Sequence, residues 1–254
     1  MVKWSELSSN GIKEEIKKNG VVIVPIGAIE QHGPHLPTGT DSYTGWAIAK
    51  RVAESVNALL LPIVPFGFSE DHCPRPGTVT LSIDTLKNII RDIAKSLARD
   101  GAKHIIIFSG HGGQLTQIAD VCYELNVSGI LGGSQVHNIS PWNATPVEVL
   151  AAVLEEEVFL HAEEMETSLM LFLKPNLVDM TKAVKETPDY VPKGLTTANF
   201  LESIRIFTTS KFLGRDLETG VCGDATLGTK EKGIKLLELI VDCTVKAINH
   251  VVGD

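Results

Sequence analysis

Two carboxylates and two imidazoles stand close together in one irregular segment of this 254-residue sequence. The segment PIGAIEQHGPHLPTGTD at positions 25–41 carries Glu30, His32, His35 and Asp41 among its glycines and prolines. Because glycine and proline interrupt helices and strands, the polar side chains must be displayed from a loop. A carboxylate beside an imidazole suits zinc, manganese or iron(II), so the segment predicts a divalent-metal site.

The spacing within this segment favours a shared cluster of ligands. Glu30 and His32 are two positions apart, and in extended backbone such side chains project to the same side. Asp41 stands where the next helix is predicted to begin, and its carboxylate could cap backbone N–H groups there. Its nearness to Glu30 and His32 favours a second role, because one carboxylate can bridge two metal ions about 3.5–4 Å apart. His35 is either a structural residue or a further ligand.

A second segment, SGHGGQ at positions 109–114, follows a run of apolar residues. Glycine on both sides of His111 lets the backbone turn sharply and leaves the imidazole exposed at the end of a predicted strand. The alternative is a phosphate-binding loop. That alternative is disfavoured because neither the G-x-G-x-x-G spacing nor a Walker lysine is present.

A third segment, HAEEMETSLM, places His161 and Glu166 five positions apart. Five residues subtend roughly 140° away from one face of an ideal helix, so the two side chains converge only if His161 precedes the helix. We therefore predict that His161 is pre-helical and that Glu166 lies in the first turns. The alternative is that the acidic residues only complement the helix dipole.

The elements that must position these segments alternate along the chain. Short β-branched runs predict buried strands at 21–26, 59–64, 104–108 and 129–131. Helical spacing predicts helices at 41–56, at 84–100 with Asp84 as the N-cap, at 114–125 and near the C-terminus. Apolar strands with intervening helices predict an α/β fold, three-layer αβα with a mostly parallel central sheet, whose ligands bind at the carboxyl ends of the strands.

Composition limits the class of protein. Hydrophobic residues make up 43% and charged residues 21%, which suits one globular domain spanning residues 1–254. The formal net charge of -8 argues against a nucleic-acid partner. Apolar runs are too short for a membrane span and no signal sequence is visible, so we expect a cytoplasmic protein. Four cysteines without a C-x-x-C pair predict buried free thiols.

The motifs together resemble the creatininase, or creatinine amidohydrolase, family of metal-dependent hydrolases. The matching pieces lie in the family's order and touch most of the chain: GAIEQHGPHLPTGTD at 27–41, RPGTVTLS at 75–82, SGHGGQ at 109–114, HAEEMETS at 161–168 and GVCGDATLGTKEKG at 220–233. The resemblance implies the three-layer α/β fold, two divalent metal ions per chain (Zn, Mn or Fe) and a homo-oligomer, commonly a hexamer.

The resemblance also implies roles for individual residues. Glu30, Asp41 and His111 look like ligands of one ion, while His32 and the bridging Asp41 look like ligands of a second. Glu166 matches a glutamate of the family's late motif, which completes the second site or orients His161. His161 matches the family's proton shuttle, a role that suits an imidazole.

This chain departs from creatininases at positions that contact the substrate. Creatininases carry the sequence GHYE at this point, in which the tyrosine contacts the substrate and the glutamate binds a metal ion. In this sequence the two positions are Gly112 and Gly113. Glu157 stands where they carry a tryptophan. Creatinine is therefore not the expected substrate. Arg75 is one candidate substrate contact, with a surface salt bridge as the alternative.

The expected activity is hydrolysis of a C–N bond in a small cyclic amide or formamide by a metal-bound hydroxide, with a small-molecule amide as the partner. A formamide hydrolase of flavin or deazaflavin precursor synthesis is one alternative within the family. A non-catalytic ligand-binding protein that keeps the fold is another. Metal content separates the last alternative from an enzyme.

Overall fold

The computed structural model describes residues 2–188 and 216–253. Its strands are β1 (Val2–Lys3), β2 (Val21–Ile26), β3 (Leu59–Leu60), β4 (His104–Ser109), β5 (Gln135–Asn138), β6 (Lys185–Glu186) and β7 (Gly223–Asp224). Its α-helices are α1 (Ser9–Asn19), α2 (Thr40–Ser55), α3 (Ile83–Arg99), α4 (Leu115–Ser128), α5 (Pro141–Ala144), α6 (Val147–Ala151), α7 (Glu164–Leu173) and α8 (Lys230–Val252). Short 3₁₀ segments include Glu70–His72 and Gly112–Gln114.

The central sheet is parallel. Within the described residues it has five strands in the order β1-β3-β2-β4-β5, and each neighbouring pair runs parallel. β2 and β4 pair along their whole length, from Val21 opposite His104 to Ile26 opposite Ser109. Their carboxyl ends therefore meet at one edge, the position that parallel α/β sheets use for ligands. β6 and β7 form a separate antiparallel pair.

Helices cover both faces of this sheet. On one face, α1, α3 and α4 pack against Val22, Val24 and their neighbours on β4. On the other, α2, α7 and α8 pack against residues such as Ile23 and Phe108. Because the strands are buried on both faces, they consist of continuous apolar runs rather than an alternating pattern. The predicted three-layer αβα architecture is confirmed.

The strand predictions differ in accuracy. The predicted bounds of β2 are correct, and β4 extends one residue beyond its prediction, whereas only Leu59–Leu60 of the predicted 59–64 strand is regular. The strand predicted at 129–131 is wrong. Gly129 ends α4 in a left-handed conformation with a φ of 67°, and Gly132 and Gly133 also have positive φ, so the segment turns. The strand lies further on, at β5.

The helix predictions are correct in position and shifted at their ends. α2 begins one residue before its predicted start, and α4 continues to Ser128. The N-cap of α3 is Ser82, whose hydroxyl accepts a hydrogen bond from the Thr85 N–H, so the prediction of Asp84 as the cap is wrong. The sequence is least regular at 182–197, which carries two prolines and is interpreted either as a loop over the site or as a surface loop without function. Beyond position 188 this stretch lies outside the described residues.

Two predictions from composition can be compared with the described residues. The cysteines are unpaired: Cys122 and Cys222 are buried, while Cys73 and Cys243 are half-buried. The prediction of free thiols is confirmed, and burial holds for two of the side chains. In residues 2–188 and 216–253, the helices lack the combination of length and apolar sequence that crossing a bilayer requires.

The cap of α3 gives a stability prediction. Ser82→Ala removes the oxygen that accepts from Thr85 N, and we expect it to lower the free energy of unfolding by about 1 kcal/mol in denaturant titration. Ser82→Asn keeps an accepting oxygen and should stay within a few tenths of a kcal/mol of the original protein. Equal losses in both variants would contradict the capping role.

Candidate metal centre

The loop after β2 carries Glu30 and His32 into the interior. Two hydrogen bonds hold the backbone of this loop in place. Glu30 N donates to the Thr38 carbonyl (3.0 Å), and Gln31 N donates to the Thr78 hydroxyl (3.1 Å). The carboxylate of Glu30 and the imidazole of His32 are both buried. His32 Nδ1 lies 3.1 Å from the Glu30 carbonyl and donates to it, which leaves the Nε2 lone pair for a ligand.

Asp41 lies between two imidazoles. Its Oδ1 is 3.4 Å from His32 Nε2, and its Oδ2 is 3.3 Å from His111 Nδ1. The N-cap of α2 is Gly39, so Asp41 is not the cap but sits in the first turn with its carboxylate turned toward the imidazoles. Each oxygen faces a different histidine, which is the geometry that a bridging carboxylate needs.

His111 reaches the same cluster from the end of β4. Its Nε2 lies 3.2 Å from Glu30 Oε2. The Ser109 hydroxyl donates to the His111 carbonyl (2.6 Å) and fixes the turn. A Cβ at Gly113 would lie 2.6 Å from His111 Nε2, so glycine at this position lets the imidazole take its place. The sequence expectation of an exposed imidazole is corrected, because His111 is buried within the cluster.

His161 and Glu166 converge as predicted. His161 precedes α7 and pairs with Cys222 in an isolated antiparallel bridge, while Glu166 lies in the first turn of the helix. Glu166 Oε2 accepts from the Ala162 N–H (2.6 Å) and lies 3.6 Å from His32 Nε2. His161 Nδ1 lies 3.7 Å from Glu30 Oε1. Loop and first turn thus bring the two side chains together across the 140° that a continuous helix would leave between them.

The cluster fits divalent metal ions. Several of its buried polar atoms have no hydrogen-bond partner: Glu30 Oε1 and Oε2, His32 Nε2, Asp41 Oδ2 and His111 Nε2. Among the described residues, three groups place one ligand atom from each member within 4.8 Å of the others: Glu30, His72 and His111; Glu30, His32 and His161; and His32, Asp41 and Glu166. Buried polar atoms ordinarily have partners, so these orphans point to an ion. The mixed nitrogen and oxygen donors suit zinc, manganese or iron.

The charges of the cluster depend on one another. Burial raises the pKa of the Glu30 carboxyl to about 7, despite the nearby His111. Burial also disfavours the charge on Asp41, but the imidazoles of His32 and His111 hold the pKa of that carboxyl below its usual value. Burial by itself lowers the pKa of the His32 and His111 imidazoles. The surrounding carboxylates have a larger effect in the opposite direction, so the pKa of both imidazoles is raised well above the usual range. The carboxylates therefore require positive charge, and a bound cation would displace the imidazole protons.

Sequence reasoning missed His72, Asp71 and Gln31. His72 is buried, with its Nε2 3.5 Å from Glu30 Oε1, and Asp71 Oδ1 is a buried oxygen without a partner. Gln31 lies within hydrogen-bond distance of both His72 and His161. The segment GFSEDHC at 67–73 follows a strand and combines acidic residues with a histidine, the pattern used for the other segments, and it could have been singled out.

Other predicted residues lie elsewhere. His35 donates or accepts a hydrogen bond at the Thr167 hydroxyl (2.8 Å) through Nε2, which favours its structural interpretation. The Arg75 guanidinium donates to the carbonyls of Leu217 and Glu218, so its described contacts are with backbone rather than with the cluster. Its role in substrate binding, like that of Gly112 and Gly113, stays a prediction.

The chain matches a family of known activity. The model of the family described as creatininase, creatinine amidohydrolase, matches residues 5–248. The chain belongs to the creatininase family. A creatinine amidohydrolase from Pseudomonas putida is 31% identical over 244 residues, covering 91% of this chain and 89% of that protein. A 3-dehydro-scyllo-inosose hydrolase from Thermotoga maritima is 25% identical, covering 98% and 83%. A mycofactocin precursor peptide peptidase from Mycobacterium ulcerans is 27% identical, covering 87% and 82%.

Solved creatininase structures share this fold. A tryptophan-to-phenylalanine mutant creatininase superposes with a TM-score of 0.82 at 28% identity, covering all of both chains. A glutamate-to-glutamine mutant of Zn-Zn type gives 0.81 at 28% identity, covering 99% and 98%. A structure described as creatininase Mn gives 0.77 at 28% identity, covering 100% and 99%. This creatininase-family chain is therefore a metal-dependent amidohydrolase by class.

Removal of one predicted ligand tests the centre. His111→Ala should lose most of the tightly bound transition metal and abolish hydrolysis, because it removes the imidazole that lies against both Glu30 (3.2 Å) and Asp41 (3.3 Å). Metal per chain is measured by inductively coupled plasma mass spectrometry after extensive dialysis. His104→Ala is the matched control, since that imidazole bonds His137 (3.2 Å) at the amino end of β4. Full metal content in the His111 variant would refute its role as a ligand.

Proposed function

We propose that this protein hydrolyses the C–N bond of a small cyclic amide or formamide with the help of two divalent ions, zinc, manganese or iron. The observation that carries the proposal is the placement of Asp41 between His32 and His111, one oxygen toward each. Glu30 and His111 would hold one ion with Asp41, and His32 and Glu166 would hold the other with Asp41. When bound, the ions acidify a water molecule to a pKa of about 7 and polarise the substrate carbonyl.

His161 has the geometry of a proton shuttle. Its Nε2 lies 2.7 Å from the Gln31 carbonyl, an acceptor, so that nitrogen carries the proton. Nδ1 is left with a lone pair that faces the cluster, 3.7 Å from Glu30 Oε1. That lone pair can take the proton of the attacking water and return it to the departing nitrogen as the tetrahedral intermediate collapses. Glu166 holds Ala162 N and thereby the turn that carries His161.

Position-specific differences support a substrate other than creatinine. Gly112 and Gly113 have no side chain at the two positions where creatininases carry a tyrosine and a glutamate. Glu157, which is exposed, stands at the position where they carry a tryptophan. The curated relatives named above act on different substrates, so family membership leaves the leaving group open. A formamide of flavin or deazaflavin precursor synthesis remains one member of the proposed class. We further propose a cytoplasmic homo-oligomer, a hexamer by resemblance to the family.

A substrate screen tests the activity. Protein reconstituted with zinc, manganese or iron(II) is incubated with N-formyl compounds, lactams and creatinine, and products are measured by mass spectrometry. We expect release of formate or ring opening in at least one of the first two groups and none with creatinine. Chelation should abolish the activity and the metal should restore it. Activity confined to creatinine, or none in any group, would contradict the proposal.

The shuttle gives a second test. His161→Ala should retain the metal content of the original protein and slow turnover by about 10²–10⁴, the range for loss of a general acid–base group. Metal content is measured alongside kcat in the same preparation. Unchanged turnover would exclude His161 from proton transfer, and loss of metal would make it a ligand instead.

A further inference from the structure

His72 is a fourth imidazole at the cluster, in addition to His32 and His111, which are assigned to the ions, and His161, which is assigned to proton transfer. His72 is the last residue of the 3₁₀ segment Glu70–His72, and its backbone N–H donates to the Ser69 carbonyl (3.0 Å). Ser69 N in turn donates to the Thr80 hydroxyl (2.9 Å). The imidazole is buried, with its Nε2 3.5 Å from Glu30 Oε1 and 3.8 Å from Asp71 Oδ2. Distance alone allows it to be a metal ligand or a hydrogen-bond donor.

The amide of Gln31 decides between these roles. A backbone N–H can only donate, and Gly33 N lies 3.1 Å from Gln31 Oε1. A carbonyl can only accept, and the Gly220 carbonyl lies 3.1 Å from Gln31 Nε2. These two partners fix the amide with its NH₂ group toward Gly220. The close approach is possible because a Cβ at Gly220 would lie 2.2 Å from Gln31 Oε1.

The second N–H of that amide has one acceptor available. Gln31 Nε2 lies 3.2 Å from His72 Nδ1 and 3.2 Å from His161 Nε2. The His161 nitrogen already carries a proton for the Gln31 carbonyl and cannot accept. The amide therefore donates to His72 Nδ1, and the neutral imidazole carries its proton on Nε2.

This tautomer opposes metal binding by His72. Coordination through Nε2 would move the proton to Nδ1, where it would face the NH₂ of Gln31, two donors 3.2 Å apart. The same contact opposes a doubly protonated ring. His72 and His161 have ring centroids 4.3 Å apart and face Glu30 Oε1 with opposite capacities, a donor from His72 and a lone pair from His161.

From this geometry we infer that His72 is a further catalytic residue, which donates a hydrogen bond from Nε2–H to the acyl oxygen of the substrate, and that Gln31 is the residue that positions it. The inference rests on the proposed amide hydrolysis for its substrate. No proton is transferred from His72: the hydrogen bond stabilises negative charge that develops on the oxygen as water attacks. Loss of one such donor reduces turnover by about 10²–10³.

The protonation state is tested without a substrate. Zinc-loaded protein with ¹⁵N-labelled histidine is examined by long-range ¹H–¹⁵N correlation, and the His72 signals are assigned from their absence in His72→Ala. We expect a proton on Nε2 and an unprotonated Nδ1 in the presence of zinc. A zinc-coordinated Nε2, or protons on both nitrogens, would overturn the inference whether or not an amide substrate has been found.

Kinetics and metal content provide the second arm. His72→Ala should keep the metal content of the original protein and lower kcat by about 10²–10³ with little change in KM, while His72→Gln, which keeps an N–H donor, should lose less. His104→Ala again controls for removal of an imidazole. Loss of metal in His72→Ala would make the residue a ligand, and unchanged kcat would remove it from catalysis.

A change at Gln31 tests the positioning role. Gln31→Glu replaces the donor at His72 Nδ1 by an acceptor, so the ring should move its proton to Nδ1 and kcat should fall about as far as in His72→Ala. Circular dichroism and thermal melting establish that the variant is folded. A folded variant in which His72 keeps its Nε2 proton and kcat is unchanged would overturn the role of Gln31. Absence of any activity in the original protein would refute the proposed function and leave the protonation test intact.

Discussion

Burial of like charges at one edge of the sheet is the constraint on which the rest of this structure depends. Glu30, Asp41 and Glu166 lie together with almost no exposure to water. Buried carboxylates are costly unless they are paired or bind a metal, since desolvation penalises each charge. Imidazoles of His32 and His111 fill the space between them at 3.2–3.6 Å, too long for short charge-assisted bonds. The arrangement is stabilised when cations lie among these atoms.

The fold supplies the rigidity that such a cluster requires. β2 and β4 end side by side, so the segments after them start from fixed and neighbouring points. Glycines then allow contacts that a side chain would block: a Cβ at Gly110 would lie 2.5 Å from the Asp41 carbonyl. This close packing joins the start of α2 to the end of β4. A metal centre built in this way keeps its geometry because backbone, and not only side chains, determines the distances.

Histidines in one cluster acquire different chemistry from their hydrogen bonds. His32 donates a hydrogen bond from Nδ1–H to the Glu30 carbonyl, and the lone pair on its Nε2 faces the cluster. His161 donates a hydrogen bond from Nε2–H to the Gln31 carbonyl, and the lone pair on its Nδ1 faces the cluster. His72 accepts from the Gln31 amide and presents a proton. Identical side chains can therefore be a ligand, a proton acceptor and a hydrogen-bond donor, because a neutral imidazole has one donor and one acceptor nitrogen.

The sequence by itself determined the three-layer class and the bounds of β2, because the burial of continuous apolar strands is a local property. It also placed Glu30, His32, Asp41 and His111 at one edge of the sheet, because the carboxyl ends of parallel strands meet there. It misplaced the last strand of the sheet, since glycines in the left-handed conformation turned a short apolar run into a loop. Only the tertiary structure brought His72 to the cluster and set its tautomer. That outcome depends on hydrogen bonds of the Gln31 side chain with His72 and Gly220, and the positions at which strands end do not identify such partners.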